Sequence, residues 1–137
     1  MLGLLKKKTK IILDTNFLLI PGELGIDIFS EIQRIMDEPY EICVLDKTLD
    51  ELQAIISRSK GKEGFNAKLG FIMVKQKSLK TIKSSAHDYT DKAITGFARK
   101  NPDKTVVATQ DKELKKALQK IPVRIIVLKQ KKYLSLG

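Results

Sequence analysis

Two short apolar runs end alike: Ile11-Ile12-Leu13 stops at Asp14-Thr15-Asn16, and Val106-Val107-Ala108 stops at Thr109-Gln110-Asp111. β-branched runs of this kind read as strands buried on both faces, the habit of parallel sheets. A carboxylate at the C-terminal end of a parallel strand stands where open α/β sheets bind their ligands. Glu51 and Asp91 open helical segments between the two runs, so a parallel sheet would gather all four acids on one edge. Two like unit charges about 4 Å apart repel by roughly 4 kcal/mol at an effective dielectric of about 20. The natural neutraliser of such a cluster is a divalent metal.

Between these runs strand and helix patterns alternate. A first strand is expected over about 10–14; Pro21-Gly22 then marks a loop, and Leu24, Ile28, Ile32 and Ile35 repeat at helical spacing as far as Pro39. A second strand covers 41–46, and Thr48 opens a helix that turns Leu52, Ile55 and Ile56 inward until Gly61 and Gly64 break it. A helix over about 63–75 presents Phe65, Leu69, Ile72 and Met73, and 79–83 alternates as a short third strand. A helix over 88–100 buries Ile94, Phe97 and Ala98; a fourth strand follows at 105–109, a helix at 111–120, and after Pro122 a fifth strand at 123–128. The chain closes on a basic tail, Lys129-Gln130-Lys131-Lys132-Tyr133. The pattern predicts an α/β fold, one domain over 1–137, without repeat, linker or low-complexity block.

With 137 residues and 42% hydrophobic content, one core is expected, since a chain of this size buries roughly two thirds of the surface its unfolded form exposes. Lys and Arg number 26 against 16 Asp and Glu, a net charge of +10. With so much apolar content that charge belongs to the surface, and it attracts polyanions, nucleic acid first among them. Cys43 is the only cysteine and sits inside an apolar run, which excludes an intrachain disulfide, fits a reducing compartment and predicts a packing role. The start, Met1 to Lys8, has its charge on the wrong side for a signal sequence, and no run reaches membrane-spanning length. A soluble, cytoplasmic protein without a membrane partner is expected.

Each acid also has a plain structural reading. Thr48-Leu49-Asp50-Glu51 spells a capping box, in which Glu51 bonds back to the amide of Thr48. Asp111 suits a helix N-cap, Asp91 complements a helix dipole, and Asp14-Thr15-Asn16 can be a polar turn. Jointly the four acids point elsewhere: one follows each of the first four strands in a chain whose remaining surface is basic, an arrangement that independent capping does not favour. Caps and ligands are also compatible, because a carboxylate at a helix start is held rigidly over the sheet edge.

In order and spacing, the strand ending Asp14-Thr15-Asn16, then Thr48-Leu49-Asp50-Glu51-Leu52, Tyr89-Thr90-Asp91-Lys92-Ala93-Ile94 and Ala108-Thr109-Gln110-Asp111-Lys112-Glu113-Leu114 resemble the PIN domains, a family of metal-dependent nucleases. The last segment, through Ile121-Pro122-Val123, looks most like the branch of small-subunit ribosomal RNA processing nucleases, in a minimal prokaryotic or archaeal form. The resemblance implies a three-layer α/β/α sandwich around a parallel sheet of about five strands in the order 3-2-1-4-5. It implies Asp14, Glu51, Asp91 and Asp111 as a catalytic, metal-binding acidic tetrad, Asn16 and Thr109 as supporting groups, and a homodimer. Many members carry two successive acids where this chain has Asp91-Lys92.

The chemistry follows from the donor types. Oxygen ligands without a Cys or His cluster select hard cations, so Mg²⁺ or Mn²⁺ is expected and zinc is not. Such an ion makes a nucleophile of bound water and stabilises charge on a phosphodiester under attack, leaving a 5′ phosphate. Asp14 is assigned as central ligand with Asp91 and Asp111 beside it, and Glu51 as ligand or water-orienting group. Candidate RNA contacts are Lys6 to Lys8, Arg58, Lys60, Lys62, Lys75 to Lys83, Lys129, Lys131 and Lys132. With no Trp and three Tyr, a broad base-stacking platform is not expected, and His87 has no nucleophile beside it in the sequence. No P-loop or dinucleotide-binding glycine pattern occurs, and Asn16 stands where an aspartyl phosphotransferase wants its second Asp. The expected activity is that of a metal-dependent endoribonuclease, in ribosomal RNA maturation with a pre-ribosomal partner or as a toxin held by an antitoxin. The alternative is a non-catalytic RNA-binding or assembly factor.

Overall fold

The computed structural model describes residues 7–85 and 87–137. The reading of Met1 to Lys6 therefore lies outside the described residues. In chain order the elements are β1 (Thr9–Leu13), α1 (Thr15–Leu24), α2 (Ile28–Ile35), β2 (Tyr40–Leu45), α3 (Asp46–Arg58), α4 (Lys62–Gln76) and β3 (Lys80–Ile82). They continue with α5 (Thr90–Lys100), a short 3-10 turn at Pro102–Lys104, β4 (Thr105–Ala108), α6 (Lys112–Leu118), β5 (Arg124–Lys129) and β6 (Tyr133–Leu136). The strands form one sheet in the order β3-β2-β1-β4-β5-β6. The first five are parallel, with Ile11 opposite both Ile42 and Val106, and β6 runs antiparallel, Ile126 opposite Leu136.

Strand alternation sorts the apolar residues into two layers. Ile11, Leu13, Val44, Val106, Ala108 and Ile126 face a core shared with α1, α2, α3 and α4, and Ile12, Cys43, Leu45 and Val107 face Ile94, Ala98, Leu114 and Leu118 of α5 and α6. The result is the expected α/β/α sandwich, with every residue of β1 from Ile11 to Leu13 and of β4 from Val106 to Ala108 withdrawn from solvent. Cys43 is wholly buried and burial pushes its thiol up to about 11, so it is inert packing.

Four sequence expectations need correction. Pro21-Gly22 lies inside α1, which ends at Gly25 in a left-handed conformation (φ 68°) with its N–H donated to the Pro21 carbonyl over 2.9 Å. Proline costs α1 one internal hydrogen bond and does not break it. Helix α4 is turned about from the expected face: Gly64, Ala67, Gly70 and Val74 point inward while Phe65 is 67% exposed. The cause is close approach by α1, since a Cβ on Gly70 would sit 2.5 Å from the Leu18 carbonyl oxygen. The tail past Lys129 is a hairpin turn into a sixth strand, where Gln130 and Lys131 adopt φ 53° and 54°. The capping box is the fourth. Helix α3 starts two residues earlier, at Asp46, leaving Thr48 inside the helix, fully buried, with a hydroxyl that has no partner among the described residues.

Candidate active site

Because β1 and β4 are parallel neighbours, Leu13 pairs with Ala108, and the residues after each strand emerge side by side. Asp14, 6% exposed, caps α1 by accepting from Thr15 N–H over 2.9 Å through Oδ1. Its Oδ2 accepts from the Thr109 hydroxyl over 2.8 Å, and that same hydroxyl oxygen accepts the Asp111 N–H over 3.0 Å. Asp111 in turn caps α6, its Oδ1 accepting from Leu114 N–H over 2.9 Å. The capping roles of Asp14 and Asp111 are thus real, and they aim both carboxylates from the same edge. Asn16 accepts the Gln110 N–H over 3.3 Å through Oδ1, and Gln110 Oε1 accepts from Leu128 N–H over 2.8 Å, stitching β1, β4 and β5 together beside the acids.

Glu51 lies in the second turn of α3 and is exposed; it reaches across to two threonines. Its Oε1 accepts from Thr15 Oγ1 over 3.1 Å and from Thr90 Oγ1, so the side chain joins the N-terminal ends of α1 and α5 to α3. Thr15 and Thr90 are residues of the candidate site that sequence reasoning misses; their only signal is adjacency to Asp14 and Asp91. Asp91 stands in the first turn of α5. Burial raises its carboxyl above the ordinary aspartate value, and the charges of Asp111, Glu51 and Glu113 add to the rise. Glu113, in the first turn of α6, is a fifth acid of this edge, and its signal was the D-x-E spacing with Asp111. Lys92, the next residue, pairs with Asp88 at 3.9 Å.

Burial also pushes Asp14 up, to about 6, against the opposing pull of its Thr109 and Thr15 hydrogen bonds; the charges of Asp91 and Glu51 push the same way. Among the described residues no ion pair includes Asp14, Glu51, Asp91 or Asp111. The acids are therefore mutually repelling and uncompensated. In donor chemistry they fit a hard divalent cation, oxygen atoms alone. Among the described residues, however, no three Asp, Glu, His or Cys side chains stand close enough to form a ready ligand set. Beside Glu51 and Asp91 opens a cleft of about 800 Å³ lined also by Lys47, Asp50, Asp88, Tyr89, Thr90 and Lys92.

The candidate RNA contacts separate in space. Lys129, Lys131 and Lys132 form the β5–β6 turn, at the C-terminal end of a strand parallel to β1 and β4 and so on the acids' edge. Arg58 and Lys62 instead line a hollow at the α3–α4 junction with Leu19, Glu23 and Asn66, and Arg58 pairs with Glu63 at 3.2 Å. Lys60 is exposed in that junction. Arg58 lies seven residues beyond Glu51 on α3, about 10 Å along the helix axis. His87 is exposed and its side chain takes part in no described hydrogen bond.

A model of a PIN-like domain family matches residues 11–131. The chain belongs to that family. The Methanocaldococcus jannaschii protein named ribonuclease VapC4 is 36% identical to this PIN-like domain over 129 residues, 93% of this chain and 95% of that one. Among solved structures, the PIN domain endonuclease Utp24 is similar with a TM-score of 0.78 at 21% identity, covering 93% of this chain and 90% of its own. VapBC2 from Rickettsia felis, solved bound to a DNA fragment from its promoter, gives a TM-score of 0.61 at 20% identity over 88% and 99% of the two chains. These structural likenesses carry the strand order and layering that the sheet displays. Among the described residues no helix is long and apolar enough to cross a membrane.

Proposed function

We propose that this PIN-like domain is a divalent-metal-dependent endoribonuclease whose catalytic acids are Asp14, Glu51, Asp91 and Asp111. The observation that carries the reading is the set of uncompensated carboxylates on one sheet edge, two of them joined by the Thr109 hydroxyl, with a lysine-rich turn on the same edge. The ribonuclease named among its relatives supports the substrate class.

A bound Mg²⁺ or Mn²⁺ would neutralise the cluster, lower the pKa of a water and stabilise charge on the phosphodiester. Asp14, Asp91 and Asp111 would hold it, with Glu51 as a further ligand or as the group that orients the water. The chain's own work is positioning. Thr109 holds the Asp14 carboxylate and the Asp111 backbone at one point, Thr15 and Thr90 fix Glu51, and Asn16 keeps the β4–α6 turn against α1. Lys129, Lys131 and Lys132 would take the RNA backbone, with Arg58, Lys60 and Lys62 as a more distant contact.

Likeness to a ribonuclease VapC over nearly the whole chain weighs toward a toxin-type role with an antitoxin partner, ahead of ribosomal RNA maturation with a pre-ribosomal partner. A homodimer belongs to the same proposal. The helix caps that Asp14 and Asp111 form favour one second reading, an RNA-binding assembly factor without catalysis. Cleavage of 5′-labelled single-stranded and structured RNAs with Mg²⁺, Mn²⁺ or EDTA, beside Asp14→Asn, separates the two. Metal-dependent cutting absent from the variant supports the nuclease; wild type and variant equally inactive, with salt-sensitive binding retained, supports the assembly factor.

A further inference from the structure

Tyr89 is 83% exposed, the most exposed of the large hydrophobic side chains described. It is the N-cap residue of α5, a position where Ser, Thr, Asp or Asn would bond to the first amides, and its side chain makes no capping bond. Among the described residues no lysine covers its ring as Lys75 covers Phe71 and Lys77 covers Phe29. The backbone beneath it is nonetheless fixed. Asp88 N–H donates to the Ser85 carbonyl over 3.2 Å, Lys47 donates to the Asp88 carbonyl, and Ala93 N–H donates to the Tyr89 carbonyl over 2.9 Å. The next residue, Thr90, is tied to Glu51. An aromatic ring is thus presented from a hydrogen-bonded helix start, in the cleft that also holds Glu51, Asp91, Lys47 and Lys92.

We propose that Tyr89 is a stacking platform for one unpaired nucleobase beside the acidic edge. The inference rests on the ribonucleic acid reading of the preceding section. Aromatic side chains stack on any base, and in RNA the bases open to stacking are those outside duplexes. Tyr89 is a positioning residue: with a base seated on its ring, the adjoining phosphodiester lies across the Glu51 and Asp91 side of the cleft. The lysines of the β5–β6 turn supply charge, and Tyr89 supplies discrimination between unpaired and paired strands.

The test measures binding in EDTA, where cleavage plays no part, using a single-stranded RNA that carries 2-aminopurine and a duplex of the same sequence. Wild type quenches the fluorophore of the single strand. Tyr89→Ala loses the quench and binds the single strand about 5- to 150-fold more weakly, with duplex binding unchanged, while Tyr89→Phe retains both. Circular dichroism melts of the variants confirm an intact fold, as expected for a side chain this exposed. Equal single-strand affinity in wild type and Tyr89→Ala, or equal losses on single strand and duplex, overturns the proposal. Wild type that binds neither RNA at low salt overturns both this proposal and the RNA reading beneath it. An inactive wild type with intact quenching overturns the nuclease alone.

Discussion

Replacing Asp14 by Asn makes the protein more stable at neutral pH and less stable in acid. The Asp14 carboxyl moves from 3.8 to about 6 on folding, chiefly through burial. A rise of that size corresponds to about 3 kcal/mol. Because the folded value lies above the unfolded one, the native state holds its proton more tightly. The associated stability is fully present below pH 3.8 and is lost as the pH rises through about 6. Asparagine does not titrate, but it weakens the hydrogen bonding with Thr109, which costs about 1 kcal/mol. The variant should therefore be about 1 kcal/mol less stable near pH 4 and about 2 kcal/mol more stable near pH 8, the two profiles crossing between. Urea unfolding in EDTA at constant ionic strength over that range measures the difference directly. Groups away from the acidic edge titrate alike in both proteins and drop out of it. Magnesium at pH 7.5 should raise wild type alone, by about 2.7 kcal/mol at a hundred times its dissociation constant. A gap between the two proteins that stays constant with pH would refute the burial argument.

Two further outcomes follow from packing and charge. Gly70→Ala should destabilise by about 1–3 kcal/mol because its Cβ meets the Leu18 carbonyl, whereas Gly96→Ala, with nothing within 4 Å, should stabilise α5 by up to about 1 kcal/mol; denaturant midpoints report both signs. Replacing Lys129, Lys131 and Lys132 together by alanine should weaken RNA binding and reduce the slope of log affinity against log salt by about 2. An unchanged slope would remove the β5–β6 turn from the interface.

What the chain displays in advance is what short-range pattern encodes. The apolar runs Ile11 to Leu13 of β1, Cys43 to Leu45 of β2 and Val106 to Ala108 of β4 are buried on both faces, so these strands announce themselves, and with them Asp14 and Asp111 just beyond two of them. The identity of the inward face of α4 is not local: large residues at helical spacing suggest a buried stripe, yet α1 approaches so closely that only Gly and Ala fit, and Phe65 is turned out. Pro21 and Gly22 read as a loop for the same reason, since Gly22 also faces α4, within reach of Asn66. Thr48 and Glu51 carry the letters of a capping box, but the helix begins at Asp46, which binds Ser84 and so serves the loop after β3. Lys129 to Lys132 looked like a solvated tail because a turn with residues at positive φ usually advertises itself with glycine, and here Gln130 and Lys131 fill it. The threonines that orient Glu51 were hidden because their partner lies 36 and 39 residues away in sequence.

The single hydroxyl of Thr109 joins two parts of the chain 95 residues apart. During synthesis, β1 with Asp14 leaves the ribosome long before β4 exists, and the slot it will share with Asp111 stays open until the central pairing of the sheet is made. A nascent or clipped chain ending before Thr109 carries three of the four acids and none of the link between the first and the last. Completeness of the fold is thus the condition for assembling the acidic edge.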